Sequence, residues 1–309
     1  MNILGIEIGG TKLQLVLGDE MGRIHERRKL KVDPDGGAAA IRDQIARVIP
    51  ELRALGSIDA VGVGFGGPVD WRTGTICCSH QIGGWSEFDL RGWMQRQVDA
   101  PVHVDNDANV ATLGEAHCGA GIGLDPVFYV TLGSGVGGGL VTNGRIYHGA
   151  TPGESELGHV RLDRVGTTLE SRCSGWAVDR RIRELKSAQP SSGLARLVGN
   201  EHGGEASHLS AALAQGDATA QRLLGEISED LAFGLSHIVH LFHPQVIILG
   251  GGLSGVGEPF RAAVKSALSG FVIEAFAPGL GICLSSLGED AVPVGALCLA
   301  QMSQQSQST

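Results

Sequence analysis

Asn106 and Asp107 stand side by side just ahead of Ala-Asn-Val-Ala-Thr-Leu, so an amide and a carboxylate share one predicted helix start. A carboxylate there can take a proton from a hydroxyl while the amide holds a neighbouring group. It can equally well only cap the helix, because Asn and Asp are among the best N-terminal caps. The residue pattern alone leaves both open. A second group lies in Gly153-Glu-Ser-Glu-Leu-Gly-His159, where Glu156 and His159 are three apart, and Glu170 follows in Leu-Glu-Ser-Arg-Cys-Ser-Gly. A carboxylate accepts from two donors at once, so such residues suit a ligand rich in hydroxyls. A third feature is Thr11-Lys12 directly after Gly9-Gly10, a hydroxyl donor and a cation beside a glycine turn. Backbone N–H groups in such turns can cradle an anion. An ordinary surface turn is the plainer alternative.

The third group borders the first of four glycine-dense blocks. The chain of 309 residues has 48 glycines, gathered at Gly9-Gly10, Gly62 to Gly67, Gly133 to Gly139 and Gly250 to Gly252, each after an apolar run. A flexible linker would pair glycine with serine. Glycine closing a strand marks a tight turn or a close backbone approach to a ligand. Around these blocks the pattern predicts a strand from Ile3 to Ile8, a glycine turn, and a returning strand from Leu13 to Leu17. A third strand covers Ile24 to Val32 and a helix Ala38 to Leu55, striped by Ile41, Ile45, Val48, Ile49 and Leu52. Short strands follow at Ala60 to Phe65 and Val102 to Val104, then a helix from Asp107 to Ala116. Strand, glycine turn and strand recur at Val127 to Leu132, Gly133 to Gly139 and Leu140 to Thr142, with the hairpin turn Asn143-Gly144 after them. A long helix from Ala218 to Phe242 carries Leu223, Leu224, Ile227, Leu231, Leu235, Ile238 and Phe242 on one side. Strand Val246 to Leu249, helix Pro259 to Leu268 and a last helix from Ala291 to Gln301 complete the pass, with a disordered Ser/Gln tail expected. The repeat predicts two duplicated α/β domains with a cleft between them: residues 1–117, completed by a last helix at 290–303, and residues 118–289.

Two familiar phosphate motifs fail on context. Gly5 to Lys12 nearly fits the P-loop, but Thr11-Lys12 comes in the wrong order and a period-two strand follows where a P-loop needs a helix. Gly133, Gly135 and Gly138 spell the dinucleotide fingerprint, yet Leu140-Val-Thr-Asn-Gly turns back as a hairpin and opens no helix. Two phosphate-facing hairpins, one per half, remain.

The ordered set Ile8-Gly-Gly-Thr-Lys12, Val104-Asp-Asn-Asp-Ala-Asn109, Leu132-Gly-Ser-Gly-Val-Gly-Gly-Gly139, Gly153 to His159 and Ile247 to Gly252 resembles the ROK family of sugar kinases and repressors. The resemblance spans the chain from first strand to last helix. It implies the actin-like ATPase (ribonuclease H-like) fold, closing over ATP and a sugar. It makes Asp107 the catalytic base and Asn106, Asp107, Glu156, His159, Glu170 and Gly67 the sugar-side residues. Glu154 falls outside the motif register and is expected to be solvated. Gly9, Gly10, Thr11, Lys12, Gly133, Ser134, Gly135, Gly137, Gly251 and Gly252 fall on the nucleotide side. Glu7 stands where the family usually has Asp, and the resemblance puts it near Mg²⁺, most simply through a metal-bound water.

The chain departs from the family elsewhere too. Many members carry a Cys-x-Cys-Gly-x-x-Gly-Cys stretch that holds a structural zinc with the motif histidine. Here Val160 to Thr168 has no cysteine, and His159 with Cys173 would supply two of four ligands, so no structural zinc is expected. The sugar-side loop Ser79-His-Gln-Ile-Gly-Gly-Trp85 lacks an asparagine expected shortly before the tryptophan. The resemblance therefore implies an ATP-dependent hexose kinase with glucose as the default. Kinases of N-acetylmannosamine, N-acetylglucosamine, fructose or allose are the alternatives within the class. A repressor and a silent sugar-binding protein are the alternatives outside it. A repressor would carry an N-terminal DNA-binding domain before the first hairpin, which here starts at residue 3, and 33 acidic against 24 basic residues give a net charge of −9 that repels nucleic acid. The chain has no run of about 20 apolar residues of the kind that spans a membrane. The opening residues lack a signal peptide, and six unpaired cysteines are expected as reduced core filler, so a cytoplasmic protein is expected. The family suggests a homodimer.

Overall fold

The computed structural model describes residues 1–79, 81–276 and 279–306, with side chains through Gln301; His80 of the sugar-side loop lies outside the described residues. Contacts divide the chain into two units, one of Met1–Asp125, Gly139–Ser155 and the residues from Ser286 onward, the other of Pro126–Gly138 and Glu156–Ser285.

The first unit opens with β1 (Ile3–Ile8), β2 (Lys12–Gly18) and β3 (Ile24–Lys31), followed by α1 (Gly37–Arg53) and β4 (Ala60–Phe65). Three two-residue strands, β5 (Val69–Asp70), β6 (Thr75–Ile76) and β7 (Phe88–Asp89), pair antiparallel before α2 (Leu90–Val98). Then come β8 (Val102–Asn106) and α3 (Asp107–Cys118). The main sheet has the order β3-β2-β1-β4-β8. Its first three strands are antiparallel, and β4 and β8 run parallel to β1. Every residue of β1 and β4 is buried, as an apolar strand covered on both faces requires. One face packs Ile6, Leu15 and Val63 against the stripe Ile41, Ile45, Ile49 and Leu52 of α1. The other packs Ile3, Val16 and Ala60 against Leu297 and Ala300 of the terminal helix, α10.

The second unit holds β9 (Val127–Leu132) and the start of β10 (Val136–Thr142), which continues into β11 (Arg145–Ile146) of the first unit. It continues with α4 (Leu169–Cys173), α5 (Gly175–Ala188), α6 (Gly193–Val198), α7 (Leu209–Ala214), α8 (Ala218–Phe242), β12 (Val246–Gly250), α9 (Glu258–Leu268) and β13 (Gly281–Leu284). The sheet order is β11-β10-β9-β12-β13, with β12 parallel to β9 and β13. α10 (Ala291–Ser306) closes the chain in the first unit.

Five expectations need correction. The terminal helix runs to Ser306, past the expected end at Gln301 and through most of the tail expected to be disordered. Phe242 is not on the buried side of α8: it and Leu241 are 38 % and 74 % exposed where the helix ends at His243. The glycine run after β9 is not all loop, because Gly137 to Gly139 lie within β10. Gly62 and Gly64 serve packing, not a ligand: a Cβ on Gly62 would lie 1.9 Å from the Ala296 carbonyl oxygen of α10, and one on Gly64 2.6 Å from Val292. The cysteines are not mainly core filler either; all are free, but only Cys173 and Cys298 are buried.

Candidate active site

The first unit gathers its candidate residues at the C-terminal ends of β1, β4 and β8. β8 delivers Asn106 to the start of α3, where its Oδ1 accepts from Ala108 N at 2.9 Å and Asn109 N at 3.2 Å. The amide nitrogen of Asn106 donates to the Gly67 carbonyl at 3.2 Å, so the cap is tied to the loop after β4. Capping is thus the work of Asn106, and Asp107, as the first helical residue, is released from it. Asp107 keeps partial solvent access, with its carboxylate beside the backbone at Gly66: a Cβ there would lie 3.3 Å from Asp107 Oδ2 and 3.4 Å from the Ile8 carbonyl. Crowding by protein, and then the neighbouring Glu7 carboxylate, push the Asp107 pKa up to about 7. Helix N–H groups at Ala108 and Asp107 and the Lys12 charge act in the opposite sense.

Glu7 sits on β1 and is buried. One of its oxygens pairs with Lys12 Nζ at 3.1 Å and the other accepts from Gln14 Nε2 at 2.7 Å. Burial raises its pKa, and the Lys12 cation partly offsets that. Between β1 and β2 the chain turns at once, Gly9 N donating to the Lys12 carbonyl at 2.9 Å. This turn returns along the sheet, as the failure of the P-loop pattern requires. Thr11 at its tip is exposed.

Sequence reasoning missed the support behind this centre. The buried Asp105 carboxylate accepts from Asn106 N at 2.8 Å and Asn109 Nδ2 at 3.0 Å, and it meets His148 Nε2 at 2.6 Å. His148 stacks on Trp71 with ring centroids 4.2 Å apart. Glu154 is not solvated as expected: it is half-buried and accepts from Val69 N at 2.7 Å, while the adjacent Gly153 carbonyl accepts from Asn109 Nδ2 at 2.9 Å. Those bonds stitch the loop at 66–69 and the segment at 148–154 onto the start of α3. Trp85, at the end of the loop expected on the sugar side, is anchored in the core edge-on to Phe65, at 5.2 Å.

In the second unit, Glu170 at the first turn of α4 accepts from Val136 N at 2.9 Å, which fastens the glycine turn between β9 and β10. That turn is tight, with Gly133 N donating to the Gly135 carbonyl at 3.0 Å, and it leads back into the sheet. The motif glycine Gly158 packs against the same place: a Cβ on it would lie 2.4 Å from the Val136 carbonyl and 3.3 Å from Glu170 Cβ. Glu170 and the Glu156 to His159 segment are thereby brought together with Gly135. Glu156 and His159 are exposed and 3.8 Å apart. Gly251, at φ 77°, follows β12 against the end of β9, where a Cβ would lie 2.5 Å from Leu132 N. Gly252 then opens a short 3₁₀ turn. Among the described residues no group of three or more His, Cys, Asp or Glu is placed to hold a metal ion, and no helix is long and apolar enough to cross a membrane.

Known proteins are similar to this chain over nearly its whole length. A glucokinase of Thermotoga maritima is 30 % identical over 304 residues, covering 96 % of each chain. The crystal structure of a ROK family glucokinase from Streptomyces griseus, in complex with glucose and AMPPNP, superposes with a TM-score of 0.86 at 31 % identity, over 98 % of this chain and 100 % of that one. A ROK hexokinase from Thermus thermophilus gives a TM-score of 0.80 at 26 % identity, over 99 % and 100 %. The mixed α/β architecture is thus the actin-like ATPase fold of these kinases. The family model covers residues 3–303, and on that match together with the relatives the chain belongs to the ROK family.

Proposed function

We propose that this protein transfers the γ-phosphoryl group of ATP to a hydroxyl of a hexose, with glucose as the default acceptor. The observation that carries the reading is Asp107: a carboxylate freed from capping, at the end of the β8 strand, with its pKa pushed up to about 7. A general base works best when its pKa lies near the working pH. Asp107 takes the proton of the attacking hydroxyl as the new O–P bond forms. Asn106 spends its oxygen on the α3 cap and one N–H on Gly67, and its second amide hydrogen donates to the sugar. Glu156, His159 and Glu170 receive further hydroxyls, Glu170 doing so while it holds the Gly133–Gly135 turn in place.

Phosphoryl transfer otherwise needs positioning and charge neutralisation. Backbone N–H groups of the Gly9–Lys12 turn and of Gly133 to Gly135 supply donors, Ser134, Gly137, Gly251 and Gly252 line the nucleotide side, and Thr11 and Lys12 add a hydroxyl and a cation. Mg²⁺ would be held beside the phosphates on the Glu7 side, and the chemistry it would supply there is neutralisation of phosphate charge. Both Glu7 oxygens already have partners in Lys12 and Gln14, so this residue suits a contact to a metal-bound water and not direct ligation. We further propose that the protein works in the cytoplasm, in keeping with its six free cysteines, and as a homodimer, which only the family resemblance suggests; light scattering on the purified chain checks the assembly.

The test is ATP-dependent phosphorylation across glucose, fructose, mannose, allose, N-acetylglucosamine and N-acetylmannosamine. Turnover with glucose above the rest is expected. Preference for an N-acetylhexosamine would reassign the sugar, and no turnover with any of them would remove the kinase reading.

A further inference from the structure

We propose that Cys118 and Cys298 are a modification site: a thiol pair that hydroperoxides oxidise to a disulfide, stapling the C-terminal helix α10 to the far end of α3. The two sulfurs lie 3.7 Å apart although the residues are 180 positions apart in sequence. Cys118 is the last residue of α3, and Cys298 lies in mid α10. Both helices belong to the first unit. Their backbones are already in close contact, since a Cβ on Gly114 would lie 2.6 Å from the Ala291 carbonyl and one on Gly295 1.8 Å from the Val110 carbonyl. Packing that tight holds the thiols in register. Closing the gap to the roughly 2.05 Å of a disulfide takes side-chain rotation at both cysteines and a small shift of the end of α3.

The two sulfurs differ in the way an attacking and a resolving thiol should. Cys118 is half-exposed beside Gly22 and the Met21 carbonyl, whereas Cys298 is 8 % exposed. Hydrogen bonding from Cys298 holds the Cys118 thiol down at about 7, and that bond together with burial raises Cys298. The Cys118 thiolate attacks a peroxide oxygen, the O–O bond breaks, and a sulfenic acid forms as one water or alcohol leaves. The Cys298 sulfur then attacks the sulfenic sulfur. The S–S bond forms, and the hydroxyl departs with the Cys298 proton as water. The two thiols lose two electrons and the peroxide gains them.

Because α3 begins at Asp107, the staple fixes the far end of the helix that bears the proposed base, about 16 Å along its axis. The cross-linking step itself does not depend on what the protein phosphorylates. The full chain, treated with graded hydrogen peroxide, alkylated and digested without reduction, should yield a peptide linking Cys118 to Cys298, 2 Da lighter than the two thiol peptides together. It should appear before any other cysteine product and vanish with dithiothreitol. The oxidised protein should melt roughly 5–15 °C higher, as expected for a cross-link closing a long loop. Cys118→Ala and Cys298→Ala should each abolish the rise. Conversion of Cys118 to sulfinic acid without a linked peptide, or prior linkage of Cys77 to Cys78, overturns the proposal. The wild-type digest reads this even if a variant fails to fold.

Discussion

At the residue scale the proposed chemistry rests on two neighbouring carboxylates, Asp107 and Glu7. Asp107 is expected to set the acid limb of turnover, with kcat falling about tenfold per pH unit below a midpoint near 7. Asp107→Asn should lower kcat by at least about 10². The next-largest cause of the raised pKa after burial is the Glu7 charge. Glu7→Gln, which keeps shape and a hydrogen bond to Gln14, should therefore move the limb to lower pH; a limb that stays at 7 would show that burial alone sets it. The same shift has a cost in stability. A carboxyl whose folded pKa lies above its ordinary value of 3.8 resists ionisation only in the folded state, so this group withdraws stability as pH rises from about 4 through 7. Asp107→Asn should accordingly melt higher than the wild type at pH 8 and lose that advantage towards pH 4, which calorimetry at the two pH values reads. Asn106 and Asp107 were legible in sequence because cap residues announce a helix start. Asp105 with His148 was not, because the partners are 43 residues apart and a lone histidine carries no pattern.

Glycine does two jobs among the elements, and only one of them is visible as a motif. Strand, turn and strand at the two glycine hairpins followed from period-two residues on each side, and α8 was read at Ala218–Phe242 from its apolar stripe alone. Helices α4, α6 and α7 and strand β13, of four to six residues, are too short for a period to register. The packing of α10 was illegible for another reason. Gly62 and Gly64 read as turn or ligand glycines, and Gly114 and Gly295 as plain positions inside predicted helices; only the tertiary contacts show that all four let α10 lie directly on β4 and α3. This distinction is testable with alanine at two helical sites. Gly295→Ala drives a Cβ to 1.8 Å from a carbonyl oxygen and should cost about 1–3 kcal/mol or more. Gly225→Ala in α8 meets nothing within 4 Å and should instead gain about 0.5–1 kcal/mol through helix propensity. Chemical denaturation of the two variants should give opposite signs.

At the scale of the whole molecule the question is whether binding and turnover belong together, since the same fold could hold a sugar without phosphorylating it. Mass action separates the two. A ligand that binds only the folded chain stabilises it by RT ln(1 + [L]/Kd), about 2.7 kcal/mol at a hundred times Kd, and for a chain this long each kcal/mol moves the melting point by roughly 2–4 °C. Glucose and a non-hydrolysable ATP analogue should each therefore raise the melting temperature by several degrees. The acidic surface, net −9, opposes binding of any polyanion that lacks specific donors. A shift with the ATP analogue that is absent with inorganic tripolyphosphate would thus mark recognition of the nucleotide beyond its phosphates. Asp107→Asn supplies the decisive comparison. A kinase whose base is Asp107 should keep the glucose and nucleotide shifts in this variant while turnover collapses, because the carboxylate acts on the transferring proton more than on the resting sugar. If the wild type shows both shifts and no turnover with any hexose, the chain is a sugar-binding protein. If the variant retains full turnover, the proton is taken elsewhere and the raised pKa of Asp107 has no catalytic purpose.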